Sequence, residues 1–575
     1  MVSLPSRMKA ALCLLPLLFA ALVLLSDGRA AAGPSRFQVP AGRPANPPTD
    51  QVIVQFGGGA RALSATEMAR RLERLSAAAG LPLSFVRPMS GEAYVYRLPS
   101  PLAEREVAAI AADLAALPEV SHAEADIVLR HTGRVPAQPP VLSGIAPRAA
   151  GSAPNDPSFV DQWHYRYTPG AMEGVNLEPA WNITTGSPDI VVAVLDTGIV
   201  LHADLVGRTV PGYDFITSVS QANDNDHPIK GNSRDNNPSD PGDWQAAGDC
   251  GSGSPAYPST WHGTHVAGTI GAASNNGSDV AGVNWQAKIL PARVLGRCGG
   301  ELSDVIDAIR WSAGLAVPGA PPNANPARVI NMSLGGGGTC SPLMQAAIDA
   351  AAAAGALSVV AAGNSLDIAD FYTPASCNNV ITVAATTRAG DLAWYSNFGS
   401  AVEVSAPGGE TNSNPADGVL STFNGGGQGP GNDSLGFYQG TSMAAPHVAG
   451  VASLLLGLAP GLTPAEVSEI IQTTVRDFPP GSDCAAWACG EGIVDAFAAL
   501  KAVADPGEAT ATPTATPTTT ATATPTATAT ATPTATPTEE PSPTGEPSPT
   551  VVPDGSVIYL PAVYNGDTLA AAPPG

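Results

Sequence analysis

The sequence predicts an α/β fold, a mainly parallel sheet with helices on both faces, preceded by a small α+β domain. Two observations support this. Between residues 155 and 505, short apolar and β-branched runs alternate with segments of helical periodicity. Strands that alternate with helices over such a length favour a parallel sheet covered on both sides. Residues 33–135 also mix both patterns, but they are fewer and form a smaller unit.

The chain opens with a segment typical of a secretory signal. Arg7 and Lys9 precede an apolar run at 10–25, and three alanines follow at 30–32. This is the order of charged, apolar and small-residue regions in a signal peptide. The run is shorter than the ~20 residues of a spanning helix, although an uncleaved anchor is the alternative. We expect residues 1–32 to be removed and no membrane span to remain in the mature chain.

The small α+β domain is expected at 33–135. The periodicities predict strands at 51–56, 93–98 and 122–129, and helices at 64–79 and 104–117. No pair of residues in it suits a nucleophile and its base. The following linker, 136–154, is rich in Pro, Gly and Ala, so proteolytic processing would be tolerated there.

The larger domain, 155–505, is divided into elements by its apolar runs. Strands are predicted at 190–195, 287–295, 329–332, 357–362, 380–385 and 401–405, and helices at 303–313, 342–354 and 446–458. The formal net charge of the whole chain is −23. This acidity argues against nucleic acid as a partner, and it favours solubility and cation binding.

Three segments of this domain carry residues suited to nucleophilic catalysis. VVAVLDTG ends a strand at Asp196, WHGTHVAGTI places His262 at the start of a helix, and QGTSMAAPHVAG presents Ser442 at a Gly-Thr turn before a helix. A serine is a weak nucleophile unless a base and an orienting acid activate it. The helix that follows Ser442 offers free N–H groups to a developing oxyanion.

The order Asp196, His262, Ser442 with these flanks resembles the subtilisin-like serine peptidases, the subtilases. The resemblance covers roughly residues 156–504. It implies a subtilisin-like fold and a secreted endopeptidase that acts through an acyl-enzyme on Ser442, with His262 as base and Asp196 as its partner. By pattern and position, it also implies that residues 33–135 are an inhibitory propeptide and that the chain is a self-processed zymogen.

Three alternatives stay open. The small domain could be a generic substrate-binding module. The whole chain could be a surface-attached binding or adhesion protein with a dead peptidase fold. It could also be a serine hydrolase that is not a peptidase, although the usual Gly-x-Ser-x-Gly elbow is replaced by Gly-Thr-Ser-Met-Ala.

The resemblance assigns further site residues. Asn364, at the end of a buried strand, matches the family's side-chain oxyanion donor. Two short segments resemble the edges that hold an extended polypeptide as an added strand; they contain Ser333, Leu334, Gly335, Gly299 and Gly300. The pocket floor is expected at 372–376, where no charge is found. We therefore expect a bulky apolar or aromatic residue before the cleaved bond.

Seven cysteines are present, and Cys13 falls within the signal, so six are left. An even number suits an oxidising exterior. Sequence alone allows many connectivities. From the positions of the cysteines beside the site segments and from one short loop, we expect the pairs Cys250–Cys298, Cys340–Cys377 and Cys484–Cys489.

Calcium is expected as a structural ion at two candidate places. Asp235, Asp240 and Asp243 belong to an acidic loop between the catalytic aspartate and histidine, and calcium takes six to eight oxygen ligands from such loops. The second set resembles the family's strong calcium site and contains Asp204, Asn276 and Asp156. Asp279 falls where the family often has glycine, which leaves the ligand set of that loop open.

The C-terminal region has a different composition. Residues 506–554 repeat Thr, Pro and Ala and are expected to form an extended stalk, while 555–575 form a short apolar tail. We expect a monomer, secreted to the exterior, with retention at the cell surface through the stalk as one option. Its expected partners are polypeptide substrates and its own propeptide.

Overall fold

The computed structural model describes residues 46–57, 64–134, 153–167, 174–224 and 233–505. The predicted signal at 1–32, the stalk at 506–554 and the tail at 555–575 lie outside the described residues. So does most of the predicted linker. The two predicted folded domains are therefore the parts of the chain that can be compared with the sequence analysis.

The first domain is an antiparallel sheet of four strands with two helices. Its elements are β1 (Thr49–Phe56), α1 (Ala65–Ala79), β2 (Ser84–Met89), β3 (Ala93–Leu102), α2 (Glu104–Ala115) and β4 (Val120–Ala125). The strand order is β2-β3-β1-β4. Helix α1 begins with a capping box, in which Ser64 and Glu67 accept hydrogen bonds from each other's backbone N–H. The Ser-x-x-Glu spacing explains why the predicted start of this helix agrees with the structure.

Two features of this domain differ from the prediction. Strand β2 was not expected, because Arg87 and Pro88 interrupt its apolar pattern. The single strand expected at 122–129 is divided at Asp126, whose buried carboxylate accepts hydrogen bonds from Ser303 of the second domain. Beyond it, β5 (Val128–His131) and β6 (Gly133–Arg134) leave the first sheet.

The second domain contains a parallel sheet of seven strands. Counting the strands of smaller sheets, the described strands of this domain are β7 (Val191–Asp196), β8 (Tyr213–Asp214), β9 (Lys288–Arg293), β10 (Gly300–Glu301), β11 (Val329–Met332), β12 (Leu334–Gly337), β13 (Leu357–Ala361), β14 (Tyr372–Thr373), β15 (Val380–Thr386), β16 (Val404–Pro407), β17 (Val419–Asn424) and β18 (Asp433–Gly440). The order of the parallel sheet is β16-β15-β13-β11-β7-β9-β8, and each of its pairings is parallel.

Helices cover both faces of this sheet. They are α3 (Leu177–Ala180), α4 (Val219–Ala222), α5 (His262–Gly271), α6 (Leu302–Ser312), α7 (Pro342–Ala353), α8 (Thr441–Leu458), α9 (Pro464–Thr473), α10 (Cys484–Trp487) and α11 (Ala496–Ala504). Alternate residues of β7 pack into different cores: Ala193 joins the core that contains α6 and α7, whereas Val194 joins the one that contains α5 and α8. The predicted fold class is confirmed.

Helix α8 begins at Thr441, five residues before the predicted start at 446. Pro446 has no backbone N–H, so the carbonyl of Ser442 lacks the usual partner four residues later. Ser333 Oγ donates to that carbonyl instead, at 2.8 Å. Of the helices in the described part of the chain, α8 alone has the length and apolar composition to cross a membrane, but it is buried in the core.

The antiparallel pair β17–β18 leads directly into α8 and was not predicted. Its last residue, Gly440, has a φ of 151°, a value that L residues with side chains rarely adopt. This glycine lets the chain pass from strand to helix with no intervening loop. Ser442 is thereby held at the start of α8 by a strand on one side and by a helix on the other.

Three disulfides join the predicted pairs. Cys250 is bonded to Cys298, and Cys340 to Cys377. The third bond joins Cys484 and Cys489. The first bond tethers the loop before α5 to the segment beside β10, and the second connects the segment after β12 with the one after β14. Both therefore restrain segments around the same cleft.

Candidate active site

The last residue of β7 and the first residue of α5 meet at the carboxyl end of the sheet. His262 Nδ1 lies 2.8 Å from Oδ1 and 2.9 Å from Oδ2 of Asp196. Both side chains are fully buried. Asp196 Oδ1 also accepts the N–H of Thr197 at 2.7 Å. The carboxylate thus holds the proton of His262 on Nδ1 and leaves Nε2 as the basic atom.

Burial changes the pKa values of this pair. It raises the pKa of Asp196 to about 7, and the hydrogen bond from Thr197 opposes that change. It lowers the pKa of His262 to about 3, and the negative charge of Asp243 opposes that change. At alkaline pH the pair therefore consists of a carboxylate and a neutral imidazole. This is the state that a general base requires.

Ser442 lies in the first turn of α8. Its Oγ donates to the carbonyl of Ser333 at 2.9 Å and lies 2.7 Å from Oγ1 of Thr132. His262 Nε2 has no hydrogen-bond partner among the described residues, so the histidine and the serine are not joined in this form. The ring of His131 stacks on that of His262, with centroids 4.6 Å apart. Residues of the first domain therefore cover the side chains of both Ser442 and His262.

Asn364 lies just after β13 and next to the nucleophile's helix. Its Oδ1 accepts the N–H of Thr441 at 3.0 Å and its Oγ1–H at 2.9 Å. These bonds fix the amide so that Nδ2 is left as a buried donor with no partner in the described part of the chain. Such a donor costs about 1–3 kcal/mol in the ground state. It suits a site where negative charge develops later.

An extended segment of the first domain lies across these residues. β5 pairs antiparallel with β10 on one side and with β12 on the other. Arg130 is opposite Gly335, and His131 is opposite Leu334. The N–H of Thr132 then donates to the carbonyl of Ser333 at 3.2 Å. The predicted substrate-binding residues all border this segment: Ser333, Leu334, Gly335, Gly299 and Gly300.

Gly299 illustrates how closely the cleft edge approaches this strand. It has a φ of +114°, and a Cβ there would lie 2.3 Å from the carbonyl oxygen of Leu129. No side chain fits at that distance. The glycine therefore allows the backbone of the cleft edge to reach the bound strand.

The chain passes the nucleophile between Thr132 and Gly133. After Thr132 it continues as β6, where Gly133 is paired with Gly440 and Arg134 with Gln439. The strand before this peptide bond is held by β10 and β12, and the strand after it is held by β18, which leads into Ser442. The bond is the one that the arrangement presents to the serine.

A cavity of about 220 Å³ lies beside Thr132. The end of β13 and the adjoining 361–365 form one wall, and Tyr372, Thr373 and Ala375 belong to its floor. The floor carries no charged side chain, as the sequence suggested. Because Thr132 leaves this volume open, a larger side chain could enter it.

The second candidate calcium set comes together from three segments. Asp204 Oδ1 accepts the Nδ2–H of Asn276 at 2.9 Å, and Asp156 Oδ1 accepts the backbone N–H of Asn276 at 3.4 Å. Burial raises the pKa of Asp204 to about 6 and also raises that of Asp156, and the charge of Asp279 adds to both changes. Carboxylate and amide oxygens are ligands that calcium takes, so the two aspartates and the asparagine fit it in chemical type, although in the described ranges no third His, Cys, Asp or Glu side chain completes this group.

The first candidate set does not converge. Asp235 accepts the N–H of Asn237, Asp240 accepts the hydroxyl of Thr197, and Asp243 accepts the N–H and hydroxyl of Thr260. Across the described ranges, no three His, Cys, Asp or Glu side chains form a group able to hold a metal ion. The acidic loop uses these carboxylates to position the backbone around α5.

Sequence reasoning missed the residues that occupy the cleft. Thr132 and His131 were placed at the end of the small domain, and neither was linked to Ser442 or His262. The only signal was their position, directly after a strand and before the Pro-rich linker. Two other histidines near the site, His265 and His447, are fully buried and lie within hydrogen-bond distance of backbone carbonyls, so they are structural.

Comparisons with known proteins identify relatives of this chain. The model of the subtilase family matches residues 187–492. An extracellular protease of Xanthomonas campestris is 44% identical over 458 residues, which are 78% of this chain and 72% of the relative. An extracellular basic protease of Dichelobacter nodosus is 44% identical over 437 residues, which are 74% of this chain and 65% of the relative.

Solved structures show the same similarity. A protease from Pseudoalteromonas arctica is 51% identical with a TM-score of 0.57, and the match covers 61% of this chain and 99% of that one. Fervidolysin from Fervidobacterium pennivorans, at 23% identity and a TM-score of 0.55, covers 80% of this chain and 62% of its own, and it shows the fold alone. With the family model matched over more than half of its length, this chain belongs to the subtilase family of serine peptidases.

Proposed function

We propose that this protein is an extracellular serine endopeptidase made as a self-processed precursor. The observation that carries the proposal is the strand of the first domain that crosses the site, with the bond between Thr132 and Gly133 at Ser442. The names of the two bacterial relatives support an extracellular location. No observation favours the alternative of an adhesion protein with a dead peptidase fold.

In the proposed reaction, Ser442 Oγ attacks the carbonyl carbon of the residue in the position of Thr132. His262 Nε2 takes the hydroxyl proton and later donates it to the leaving amine, while Asp196 stabilises the charged imidazole. The N–H of Ser442 and Nδ2 of Asn364 donate to the oxyanion. The acyl-enzyme is then hydrolysed by water that enters after the leaving strand has departed.

The proposed substrates are extended polypeptides. A bound segment adds a strand between β10 and β12, as residues 128–131 do in the precursor. Backbone hydrogen bonds supply affinity in this mode, and side-chain pockets supply selectivity. The open cavity beside Thr132, whose floor of Tyr372, Thr373 and Ala375 carries no charged side chain, supports a larger apolar residue at the position before the cleaved bond.

The first domain acts as the inhibitor in this proposal. It fills the cleft with its own strand, and it packs against α6, where Asp126 accepts hydrogen bonds from the N–H and hydroxyl of Ser303 at 2.8 and 2.7 Å. Cleavage after Thr132 would free the strand for release. Secretion through the segment at 1–32 and retention at the cell surface through the stalk at 506–554 are parts of the proposal that rest on composition.

Casein hydrolysis tests the catalytic proposal. The purified protein, once processed, is expected to clear casein and to lose this activity after treatment with a serine-directed organophosphorus reagent. The modified residue is identified as Ser442 by peptide mass mapping. Unchanged hydrolysis after complete labelling of Ser442 would exclude the proposed nucleophile.

Calcium is proposed as a structural ion held by Asp156, Asp204 and the amide of Asn276, completed by backbone carbonyls and water. An ion that joins three distant segments binds the folded state only. At 100 times its dissociation constant it therefore adds about 2.7 kcal/mol to the free energy of unfolding. It takes no part in the reaction, because none of these residues contacts Ser442.

We expect EDTA to lower the melting temperature of the organophosphate-inhibited mature enzyme, and millimolar calcium to restore it. Asp204→Asn should lose most of this calcium-dependent shift. Asp349→Asn serves as the matched control, since Asp349 lies on α7 and accepts hydrogen bonds only from neighbouring amides in the described structure. Coincident melting curves with EDTA and with calcium would count against the ion.

A further inference from the structure

The strand in the cleft assigns each of its residues to a position relative to the cleaved bond. Thr132 is the residue before that bond, because its N–H bonds to Ser333 and its hydroxyl contacts Ser442 Oγ. His131 is therefore the second residue before the bond. Its imidazole stacks on that of His262, so whatever side chain occupies this position lies directly against the base.

An acidic side chain faces the same position. Asp243 Oδ2 lies 3.8 Å from Nε2 of His131, and the side chain of Asp243 is only 5% exposed, against 25% for His131. Asp243 belongs to the segment between α4 and α5. In the sequence analysis Asp243 was a calcium candidate, but its carboxylate is turned toward the cleft.

Asp243 is rigidly held. Its Oδ1 accepts the N–H of Thr260 at 2.6 Å, and its Oδ2 accepts the hydroxyl of Thr260 at 2.7 Å. Thr260 precedes the base by two residues, so the carboxylate is fixed relative to His262. Each oxygen keeps further acceptor capacity. A cationic side chain entering from the cleft would meet a preorganised carboxylate.

Several ionisable groups surround Asp243. His262, Asp196, Asp240 and Tyr438 interact with it electrostatically from β7, α5, β18 and its own loop. His262 is not a cation at neutral or alkaline pH, because burial lowers its pKa to about 3. Two arginines lie nearby, but they are paired with other carboxylates: Arg293 with Asp214 and Asp224, and Arg297, which stacks on Trp244, with Asp249 at 3.6 Å. The ion pair described for Asp243 is the one with His131 of the bound strand.

We propose that Asp243 makes the enzyme select a cationic side chain, lysine, arginine or protonated histidine, as the second residue before the cleaved bond. The inference rests on the proposed peptidase function and specifies its substrates. The distance of 3.8 Å between His131 Nε2 and Asp243 Oδ2 is too long for a hydrogen bond. A protonated histidine at this position is therefore attracted to Asp243 by charge alone. A longer and flexible lysine can approach Asp243 more closely, so we expect it to be preferred over histidine.

The neighbouring positions do not share this contact. Arg130, the third residue before the bond, donates through Nε to the carbonyl of Cys298, and Leu129, the fourth, is fully buried. A basic residue at the third position is thus bound by a backbone carbonyl. The selection by Asp243 should be confined to the second position.

Peptides that differ at one residue test this proposal. We would use Val-Leu-Arg-X-Thr-Gly-Arg, the sequence of residues 128–134, with X as lysine, glutamine, histidine or leucine. For the processed wild-type enzyme, kcat/KM is expected to be on the order of tenfold higher with lysine than with glutamine. Each ratio compares two peptides with the same enzyme variant. A change in turnover that affects both peptides equally therefore cancels.

Asp243→Asn should reduce the lysine-to-glutamine ratio to about one, since it keeps an oxygen for Thr260 but removes the charge. Asp240→Asn is the matched control, because it removes a charge from the same loop while Asp240 faces Thr197 rather than His131. In this control the ratio should stay as in the wild type.

The pH dependence supplies a second readout. Histidine has an ordinary pKa of about 6.5, so the histidine-to-glutamine ratio should rise as the pH falls from 8 to 6 in the wild type. The lysine-to-glutamine ratio should change much less over this range. In Asp243→Asn both ratios should be flat. A pocket that selects by shape alone would give no such rise.

The outcomes separate this inference from the proposed function. Cleavage of the glutamine peptide between Thr and Gly supports the peptidase function, whatever the ratios are. A wild-type lysine-to-glutamine ratio near one would overturn the inference and leave the function standing, even if Asp243→Asn failed to fold. Absence of cleavage in every peptide and in casein would overturn both.

Discussion

Replacing Ser442 with alanine leaves the precursor uncut between Thr132 and Gly133 and abolishes peptide hydrolysis. The hydroxyl of Ser442 lies 2.7 Å from that of Thr132, whereas the neighbouring hydroxyl of Thr441 lies 3.3 Å from it and donates to Asn364. Loss of the nucleophile from such a site reduces kcat by at least about 10⁴-fold. The wild-type precursor should yield a product that begins at Gly133, before any further trimming.

The measurement is mass spectrometry and N-terminal sequencing of purified Ser442→Ala and wild-type precursors. Ser453→Ala is a matched control, because Ser453 lies on the same helix α8 but bonds to Asn284 and the carbonyl of Gly450, far from the cleft. It should process normally. A Ser442→Ala precursor that cuts itself after Thr132 at the wild-type rate would refute the mechanism.

Addition of a trace of active enzyme to the Ser442→Ala precursor distinguishes two routes. Cleavage that then appears at Thr132–Gly133 would show that one molecule can process another. Continued resistance would indicate that the bond is accessible only to the serine of its own chain. Both results are compatible with the proposed site, and they define the order of activation.

Local patterns explain why much of the site could be predicted. The strand before Asp196, the small-residue helix after His262 and the Gly-Thr turn before Ser442 are each contained in a contiguous segment of about a dozen residues or fewer. Such local patterns can be recognised in the sequence. Asn364 also ends a buried strand, but its role as oxyanion donor was predicted from the resemblance to the subtilases. The capping box at Ser64 and Glu67 likewise marks the start of α1.

The residues that were missed depend on contacts between distant segments. Nothing near Thr132 indicates that it meets a serine more than three hundred residues later. Asp243 looked like a calcium ligand, because acidity in a loop is visible in sequence but the direction of its carboxylate is not. Helix α8 can begin at Thr441 because the hydroxyl of Ser333 donates to the carbonyl of Ser442, which Pro446 cannot do without an N–H. A hydrogen bond that comes from a distant side chain instead of the helix backbone is visible only in the folded structure.

A buried cluster of polar contacts between the two domains is centred on Arg87 of β2. Its guanidinium donates to Asp304 Oδ1 at 2.7 Å and to Asp307 Oδ2 at 2.8 Å. Arg234 of the second domain bonds to the same two carboxylates. Burial by itself would raise the pKa of Asp304, but the two arginines outweigh it and hold that pKa below its ordinary value.

Arg87→Met should therefore weaken inhibition of the mature enzyme by the separately produced domain at 33–132. Removing one partner from a buried ionic cluster costs about 3–5 kcal/mol, which corresponds to an inhibition constant raised by about 10²- to 5 × 10³-fold. Because Arg234 still neutralises both carboxylates, we expect the lower end of this range. Methionine keeps much of the apolar volume of the arginine side chain.

The measurement is the inhibition constant of each domain variant against one preparation of mature enzyme, at constant salt. Arg97→Met is the matched control, because Arg97 is 41% exposed and is paired with Asp50 within the first domain. Its inhibition constant should stay within about twofold of the wild type. Circular dichroism of both variants checks that the domain is folded to the same degree. If Arg87→Met inhibits as well as Arg97→Met does, the cluster contributes nothing to the complex, and the strand in the cleft must account for the inhibition.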